Sequence, residues 1–326
     1  MPAGSDRASD EGEFGWIERL LRPLTLGHPG ALDLLDDAAV LSPRPGHDLV
    51  VTKDSMVAGV HFLADDPLDS VARKLLAVNL SDLAAKGAEP IGYFLSVAWP
   101  TGTAWADKAR FAEGLGRAGQ DWRVALLGGD TVSTPGPLTV TATLLGEVAA
   151  GGMVRRSGAQ PGDLLMVSGT IGDGLLGLLA ARGELDDPGG ILTGRYRTPE
   201  PRLDLAASVR RFARASADVS DGLLADAGRI AIASGLAVEV ALEQVPLSAE
   251  GAGWLTTQDD EAAARARLAT GGDDYQIVCA LDPAELPAVR AAGLDLTVVG
   301  RFRMGEGVTA SFEGRNIEVA SAGWTH

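Results

Sequence analysis

The alternation of apolar and polar residues predicts an α/β organisation in the first half of the chain. Apolar residues that recur every three or four positions indicate helices, and short alternating or apolar runs bounded by Gly, Pro, Asn or Asp indicate strands. The predicted elements are a helix over 14–21, a strand over 48–53, a helix over 71–85, a strand over 91–98, a helix over 105–120 and strands over 124–127 and 138–148. The Gly-rich segment 149–152 follows, and we place the junction between two domains there.

The second half shows the same kind of pattern. It predicts strands over 164–168, 237–242, 276–281, 296–300 and 317–320, and helices over 172–182, 202–214 and 222–234. The fold class expected is therefore α/β, with two domains over 15–150 and 151–326. The polar, acidic residues 1–14 are expected to form a disordered tail.

Composition narrows the classes of function. The chain has 326 residues, 44 acidic against 28 basic side chains and a formal net charge of -16, so duplex nucleic acid would be repelled from most of the surface. No apolar run approaches the roughly 20 residues of a membrane helix, and the tail lacks the apolar core of a signal peptide. We expect a cytoplasmic protein that binds neither nucleic acid nor membrane. The single cysteine, Cys279, lies in an apolar stretch and is expected to be a buried, inert thiol.

The acidic balance also bears on candidate chemistry, because an acidic protein can hold a polyphosphate only if cations stand between carboxylate and phosphate oxygens. Six segments place Asp beside small residues at predicted strand ends or loops: LDDAAV at 35–40, TKDS at 52–55, NLSDLAA at 79–85, GGDT at 128–131, DVSDG at 218–222 and GGDDY at 271–275. Each of them alone is also typical of a turn or a helix N-cap. Asp82 differs, because it interrupts an apolar helical pattern where a carboxylate needs compensation.

Missing motifs narrow the chemistry further. The chain has no phosphate-binding loop of the GxxxxGK[ST] type and no protein-kinase motif set. It has only four lysines: Lys53, Lys74, Lys86 and Lys108. If ATP binds, aspartates and magnesium must do most of what a phosphate-loop lysine does elsewhere.

The order and wording of these segments resemble the thiamine-monophosphate kinases over residues 14–326. The motifs that carry the resemblance are DDAAV at 36–40, Asp54 with GVHF at 59–62, NLSDLAA at 79–85, GAEP at 87–90, GGDT at 128–131, RSGA at 156–159, PGD at 161–163, VSGTIG at 167–172, DVSDGL at 218–223, GGDDY at 271–275 and GWTH at 323–326. The resemblance implies two α/β domains of the aminoimidazole-ribonucleotide synthetase-like type. It also implies a homodimer whose N-terminal strands join at the interface.

Carried over by position, the resemblance implies a set of site residues. Several magnesium ions would be held by Asp36, Thr52, Asp54, Asp82, Asp130, Asp218 and Asp221. ATP would be contacted by Asp36, Gly129, Asp130, Arg156 and Ser220. Thiamine monophosphate would be contacted by His61, Asp273 and Trp324; for His61, a capping or core role is the alternative.

The chain departs from the family pattern at four positions. Leu35 stands where Gly is usual, so the loop at Asp36 is expected to turn differently. Lys53 stands where a small hydroxyl residue helps to hold metal; its ammonium cannot ligate magnesium, although its carbonyl could, and its side chain could touch a phosphate. Asp273 and Gln276 replace two glutamates, which shortens the reach to substrate at Asp273.

The reaction that the resemblance implies is the transfer of the terminal phosphoryl group of ATP to thiamine monophosphate. This transfer requires that the negative charge of the phosphates be neutralised, and it requires no general base. Both reactants are phosphates, and a phosphate monoester, with a second pKa near 6, is already largely deprotonated at neutral pH. We therefore expect direct, in-line, magnesium-assisted transfer with no catalytic acid or base. The alternatives are another ATP-using synthetase of the superfamily, such as an aminoimidazole-ribonucleotide or selenophosphate synthetase, and a non-catalytic binding relative.

Overall fold

A computed structural model describes residues 12–319 and 321–323. The chain divides into two compact units, the first formed by Met1–Asn79 and Pro90–Glu147 and the second by Leu80–Glu89 and Val148–His326. Most of the predicted tail, residues 1–11, lies outside the described residues. No helix among the described residues has both the length and the apolar character that a membrane span requires.

The first part of the chain contains one mixed sheet and two long helices. Its elements are α1 (Glu13–Gly15), a π-helical turn (Trp16–Leu21), 3-10 turns (Arg22–Thr25 and Pro29–Leu34), β1 (His47–Val57), α2 (Leu68–Ala85), β2 (Glu89–Pro100), α3 (Trp105–Trp122), β3 (Ala125–Thr134) and β4 (Thr139–Ala149). The described residues form a four-stranded sheet in the order β1-β4-β2-β3. These elements confirm the predicted series, and β1 and β3 are longer than predicted.

Side chains of β1 alternate between the two faces of this sheet, as the period of a strand requires. Val50 and Met56 are buried, and Thr52 and Asp54 lie on the same face as these two residues. Between the two ends of the strand, residues of the opposite parity are exposed, among them Leu49 (39%) and Val51 (59%). One face of β1 thus belongs to the core of the first unit, and the other face exposes apolar side chains.

The second part of the chain contains a larger sheet. Its elements are β5 (Leu164–Ser168), α4 (Asp173–Ala181), α5 (Ile191–Arg197), a 3-10 turn (Leu203–Leu205), α6 (Ala206–Phe212), β6 (Ala213–Asp218), α7 (Leu223–Ser234), β7 (Ala237–Ala241), a 3-10 turn (Leu242–Gln244), α8 (Ala249–Leu255), α9 (Glu261–Thr270), β8 (Ile277–Leu281), a 3-10 turn (Pro283–Glu285), α10 (Leu286–Ala291), β9 (Leu296–Arg303), β10 (Gly307–Phe312) and β11 (Arg315–Ile317). The described residues form a seven-stranded sheet in the order β11-β10-β7-β9-β5-β8-β6. Within this sheet β10 and β7 are parallel, and β5 is antiparallel to β8 and β9.

The core of the second unit lies on both faces of β5 and β8, which are buried along their whole length. On one face Leu165 and Val278 belong to an apolar cluster with Ile230 of α7. On the other face Met166 packs in a second cluster with Cys279. The prediction that Cys279 is buried is confirmed, and burial raises the pKa of its thiol to about 12.

Several sequence predictions for this half differ from the structure. The helix expected over 202–214 ends at Phe212, because Ala213 begins β6 and pairs with Leu281. The strand expected over 317–320 is wrong, because β11 ends at Ile317. Strand β10, with which β11 pairs, was not predicted. Ala320 lies outside the described residues. Helices α5, α8, α9 and α10 were also not predicted, because each is only 6 to 10 residues long and too short to show a clear helical period of apolar residues.

The packing of α7 yields a matched pair of variants. Ile230 is fully buried, whereas Ile232 on the same helix is 75% exposed. We expect Ile230→Ala to lower the free energy of unfolding by about 2 to 5 kcal/mol, through lost burial and a cavity. Ile232→Ala should change it by less than about 0.5 kcal/mol. Chemical denaturation measures both, and equal effects would contradict the packing described for α7.

Candidate functional site

Thr52 and Asp54 lie inside β1, and a buried side chain fixes the backbone at Asp54. The Asp54 N–H donates to Oδ1 of Asn79 at 3.1 Å, and Nδ2 of Asn79 donates to the Leu75 carbonyl at 2.9 Å. Asn79 is fully buried, so the β1 backbone at Asp54 is held against α2. The expectation that Asp54 lies at a strand end is wrong. Lys53 projects to the opposite face of β1, away from Thr52 and Asp54.

Asp36 follows the 3-10 turn Pro29–Leu34, which contains left-handed backbone. Leu32, Asp33 and Leu34 have φ values of 50°, 54° and 56°. Leu35 itself has φ -101°, so this position does not require the Gly that the family pattern has there. Asp36 is exposed, and its Oδ1 accepts the N–H of Asp37 at 2.8 Å. The carboxylate thus lies at the surface of the first unit.

Gly129 and Asp130 lie within β3 and not in a loop, which corrects the expectation for this motif. They pair with Leu95 and Ser96 of β2. A Cβ atom on Gly129 would lie 1.9 Å from the Leu95 carbonyl oxygen, so strand packing alone requires Gly here. Strands β1 and β3 form opposite edges of the sheet. The first unit therefore does not bring Asp130 next to Asp54.

His61 is oriented by the end of β1. Its Nδ1 accepts the Val57 N–H at 3.1 Å, so the neutral ring carries its proton on Nε2. The Lys74 ammonium donates to the His61 carbonyl at 3.4 Å, and Lys74 is only 2% exposed. Nε2 rather than Nδ1 is therefore the hydrogen-bond donor of the neutral His61 ring.

Asp82 and Asp218 form a pair of neighbouring carboxylates in the second unit. Asp218 ends β6 and is 4% exposed, whereas Asp82 lies in the last turn of α2. Burial and the charges of Asp82 and Asp226 raise the pKa of Asp218 well above its usual range. A hydrogen bond with Ser81 and the charge of Lys86 oppose that rise. Such a pair favours a cation beside it.

The turn after β6 carries Ser220 and Asp221 and is held by two residues of α7. One carboxylate oxygen of Asp226 accepts the N–H groups of Ser220 and Asp221, each at 3.0 Å. Arg229 forms ion pairs with both Asp221 and Asp226. Burial is the main reason that the pKa of Asp226 rises to about 6. The proposed metal ligand Asp221 thus already has a cationic partner in Arg229.

The segment Gly271–Tyr275 is bonded to this turn and has strained backbone. The Asp273 N–H donates to the Ser220 carbonyl at 2.9 Å, and the Tyr275 N–H donates to the Val219 carbonyl at 2.8 Å. Asp273 and Tyr275 have φ values of 70° and 50°, which non-glycine residues adopt mainly where surrounding contacts enforce them. The Tyr275 hydroxyl donates to Asp273 Oδ1 at 2.9 Å. Asp273 and Ser220, two predicted contacts, are therefore brought together.

Asp274 caps the N-terminus of α4. Its two carboxylate oxygens accept the N–H groups of Gly172 at 2.8 Å and Gly174 at 2.9 Å. Burial raises the pKa of Asp274 to about 8, although both backbone N–H bonds oppose the rise. The backbone next to Asp273 is thereby attached to α4.

The remaining predicted residues lie at the surface or near the chain end. Arg156 is exposed in the segment before β5. Trp324 lies outside the described residues. Its neighbour Gly323 packs closely on the turn after β6, since a Cβ there would lie 2.4 Å from the Asp221 carbonyl oxygen.

The carboxylate arrangement fits a divalent cation that takes part of its coordination from phosphate. Among the described residues, no group of three or more His, Cys, Asp and Glu side chains could hold a metal ion. Magnesium typically uses one or two carboxylates together with substrate phosphates and water. The repulsion around buried Asp218 is what such a cation would relieve, so Asp82 and Asp218 fit it.

Sequence reasoning missed several supporting residues. Asp226 was detectable, because it interrupts the apolar pattern of α7 just as Asp82 interrupts that of α2. Asn79 and Asp274 lie inside quoted motifs, but their roles are hydrogen bonds to backbone N–H groups distant in sequence. Lys86 carries no sequence signal of its own, since its partners come from β6.

Two family models match the chain. The N-terminal domain of AIR synthase related proteins matches residues 35–148, and the C-terminal domain of the same proteins matches residues 160–312. Together they confirm the expected superfamily and fold class.

Individual relatives are similar over nearly the whole chain. The thiamine-monophosphate kinase of Caulobacter vibrioides is 57% identical, over 99% of this chain and 93% of the relative. The crystal structure of the enzyme of that name from Stenotrophomonas maltophilia is 36% identical with a TM-score of 0.81, covering 94% of this chain and 98% of that one. AaThiL complexed with AMPPCP and TMP is 30% identical with a TM-score of 0.77, covering 99% and 100%.

The cap on α4 can be tested with a second matched pair. Asp274→Ala leaves two buried N–H groups without acceptors, and we expect it to lower the free energy of unfolding by about 2 to 4 kcal/mol. Asp260 is exposed and accepts one N–H, that of Ala263, at the start of α9. Asp260→Ala should cost only about 1 kcal/mol. If denaturant titration finds Asp274→Ala no more destabilising than Asp260→Ala, the cap does not hold this segment.

Proposed function

Because the chain belongs to the thiamine-monophosphate kinase family, we infer that it transfers the terminal phosphoryl group of ATP to thiamine monophosphate, which gives ADP and thiamine diphosphate. The observation that carries this inference is the similarity to enzymes of that name along nearly the whole chain. The likeness to AaThiL, complexed with AMPPCP and TMP, supports both an ATP site and an acceptor site.

The proposed reaction requires cations because it joins two anions. We propose that magnesium ions are held by the carboxylates and hydroxyl that the family resemblance indicates: Asp36, Thr52, Asp54, Asp82, Asp130, Asp218 and Asp221. Bound magnesium would neutralise charge on the phosphate oxygens. Support is strongest for Asp82 and Asp218, whose mutual repulsion a cation relieves. Asp221 would have to share its carboxylate with Arg229.

The transfer is proposed to be direct and in line. The acceptor phosphate is largely deprotonated at neutral pH, so its oxygen can attack the γ-phosphoryl group without a general base or a covalent enzyme intermediate. The residues of the chain would bind and orient the two reactants and keep their charges compensated.

Nucleotide and acceptor contacts are proposed for the remaining residues. Arg156, Ser220 and Gly129 would contact ATP together with Asp36 and Asp130. The Nε2–H of His61 would donate to the phosphate of thiamine monophosphate, a role supported by the bond that occupies Nδ1. Asp273 and Trp324 would complete the acceptor site, and the bond between the Asp273 N–H and the Ser220 carbonyl supports adjacent nucleotide and acceptor contacts.

We further propose a cytoplasmic homodimer. Exposed apolar side chains on the edge strands support a partner there, namely Leu49 and Val51 on β1 and Val132 on β3, the last 51% exposed. A second copy that pairs with these strands would cover them. Sedimentation equilibrium of the whole chain distinguishes monomer from dimer.

A coupled ADP-release assay tests the proposed activity. Thiamine monophosphate, thiamine and aminoimidazole precursors are offered in parallel, and rapid turnover is expected with thiamine monophosphate alone. Turnover with an aminoimidazole precursor would favour another synthetase of the superfamily. Absence of turnover with every acceptor, in a protein that still binds ATP, would favour a non-catalytic relative.

The carboxylate pair generates a prediction with opposite effects on activity and stability. Asp82→Asn and Asp218→Asn should each lower turnover by orders of magnitude, because the metal loses a charged ligand. The midpoint of thermal unfolding without metal should stay the same or rise, because like-charge repulsion is relieved. Asp186→Asn, at an exposed position, is the control and should change neither quantity. A variant of the pair that unfolds easily but keeps its turnover per folded molecule would show a structural role instead.

Thiamine monophosphate carries a positively charged thiazolium ring, and the proposed contact of this ring with Trp324 gives a second prediction. An aromatic face attracts such a cation by about 0.5 to 2 kcal/mol, so Trp324→Ala should raise KM for thiamine monophosphate about 2- to 30-fold and leave KM for ATP nearly unchanged. Trp324→Phe keeps an aromatic face and should retain most of the affinity. Steady-state kinetics with each substrate varied gives both constants, and a wild-type KM in Trp324→Ala removes Trp324 from the acceptor site.

A further inference from the structure

Lys86 of the second unit lies where α2 ends, beside the two carboxylates proposed to hold metal. Its backbone N–H donates to the Asp82 carbonyl at 3.0 Å, which places it one helical turn after Asp82. Its side-chain ammonium donates to the carbonyl of Ser216 at 2.6 Å. Ser216 lies on β6, two residues before Asp218. The lysine therefore links the end of α2 to the strand that carries Asp218.

The contacts of Lys86 differ from those of a solvated lysine and of a helix cap. A capping lysine would donate to the last carbonyls of its own helix, whereas the acceptor here belongs to β6. Ser216 is fully buried, and its hydroxyl donates back to the Ala85 carbonyl. Two bonds in opposite directions thus hold the end of α2 on β6. The ammonium has consequently lost much of its freedom in the folded protein.

The charges around Lys86 are those of the proposed site. Burial, and to a smaller extent the charge of Arg156, lower the pKa of Lys86 to about 8, and the charges of Asp218 and Asp82 oppose this change. The charge of Lys86 in turn opposes the rise in the pKa of Asp218. The Asp218 carboxylate and the Lys86 ammonium therefore stabilise each other's charged forms.

We propose that Lys86 is a resident cation that compensates Asp82 and Asp218 in the metal-free protein and competes with divalent metal for their charge. The inference rests on the proposed function, which takes these two aspartates as metal ligands. A fixed positive charge beside these carboxylates repels an entering divalent cation. It also offsets part of the negative charge that would otherwise attract the metal ion. Lys86 would then raise the metal concentration at which the site is half occupied. It would also stabilise the folded protein when no metal is bound.

Neutralising Lys86 tests both halves of this proposal. Lys86→Gln has no charge and keeps an N–H donor on a side chain one atom shorter. In calorimetric titration of the full chain with Mn²⁺ and no nucleotide, we expect its Kd to be about 10-fold lower than wild type, the scale of one pKa unit for a neighbouring charge. Its thermal midpoint in EDTA should fall by a few degrees, about 2 to 4 °C for each kcal/mol lost.

Two further variants serve as controls. Lys86→Arg keeps the charge and should bind Mn²⁺ within about 2-fold of wild type. Arg290→Gln removes one positive charge from an exposed position of the same unit and should leave Kd unchanged, since exposed charges are screened. If Lys86→Gln does not fold, Lys86→Met, which keeps the apolar stem, takes its place with the same expected result.

The outcomes separate this inference from the proposed function. If Asp218→Asn weakens Mn²⁺ binding but neutral Lys86 variants do not tighten it, the inference is wrong while the metal site stands. If KM for ATP rises in those variants at constant Mn²⁺ Kd, Lys86 contacts the nucleotide and the inference is again overturned. If Asp218→Asn leaves Mn²⁺ binding unchanged, the proposed metal site is wrong and the inference falls with it.

Discussion

The structure of the candidate site depends on the repulsion between carboxylates that the fold brings together away from water. Asp218 is almost fully buried at the end of β6, and the charges of Asp82 and Asp226 add to the cost of ionising it. Buried carboxylates in this situation must take up a proton or acquire a cationic partner. Lys86 and Arg229 supply fixed positive charge in the second unit, and a phosphate-bound divalent cation would supply more.

Within each unit, side chains that accept backbone N–H groups hold the acidic segments in place. Asp226 fixes the turn after β6, and Asp274 fixes the segment that carries Asp273. Asn79 does the same for Asp54 in the first unit. The supporting residues come from α7, from the approach to β8 and from α2, which are anchored in buried cores. Side chains positioned in this way need little reorganisation when charged reactants bind, which favours phosphoryl transfer by positioning and electrostatics.

The sequence predicted regular elements well where burial imposes a clear period. The fully buried strand Leu164–Ser168 was predicted with its observed ends, because an apolar run between polar residues has few alternatives. Short helices such as α8 were missed, because two glycines weaken the helical pattern over Ala249–Leu255. The motifs indicated which carboxylates matter, but periodicity could not show that Asp130 lies within β3 or that Lys53 projects away from Asp54. These facts depend on strand ends and pairing, which are set by contacts distant in sequence.

The most direct test of cation-dependent phosphate binding is calorimetric titration of the full chain with AMPPCP, an ATP analogue, in magnesium and in EDTA. If carboxylates and phosphates meet only through cations, binding should be strong with magnesium and should weaken by orders of magnitude in EDTA. Equal affinity in the two conditions would mean that the chain's own cationic groups hold the nucleotide, and that the aspartates do not act through metal.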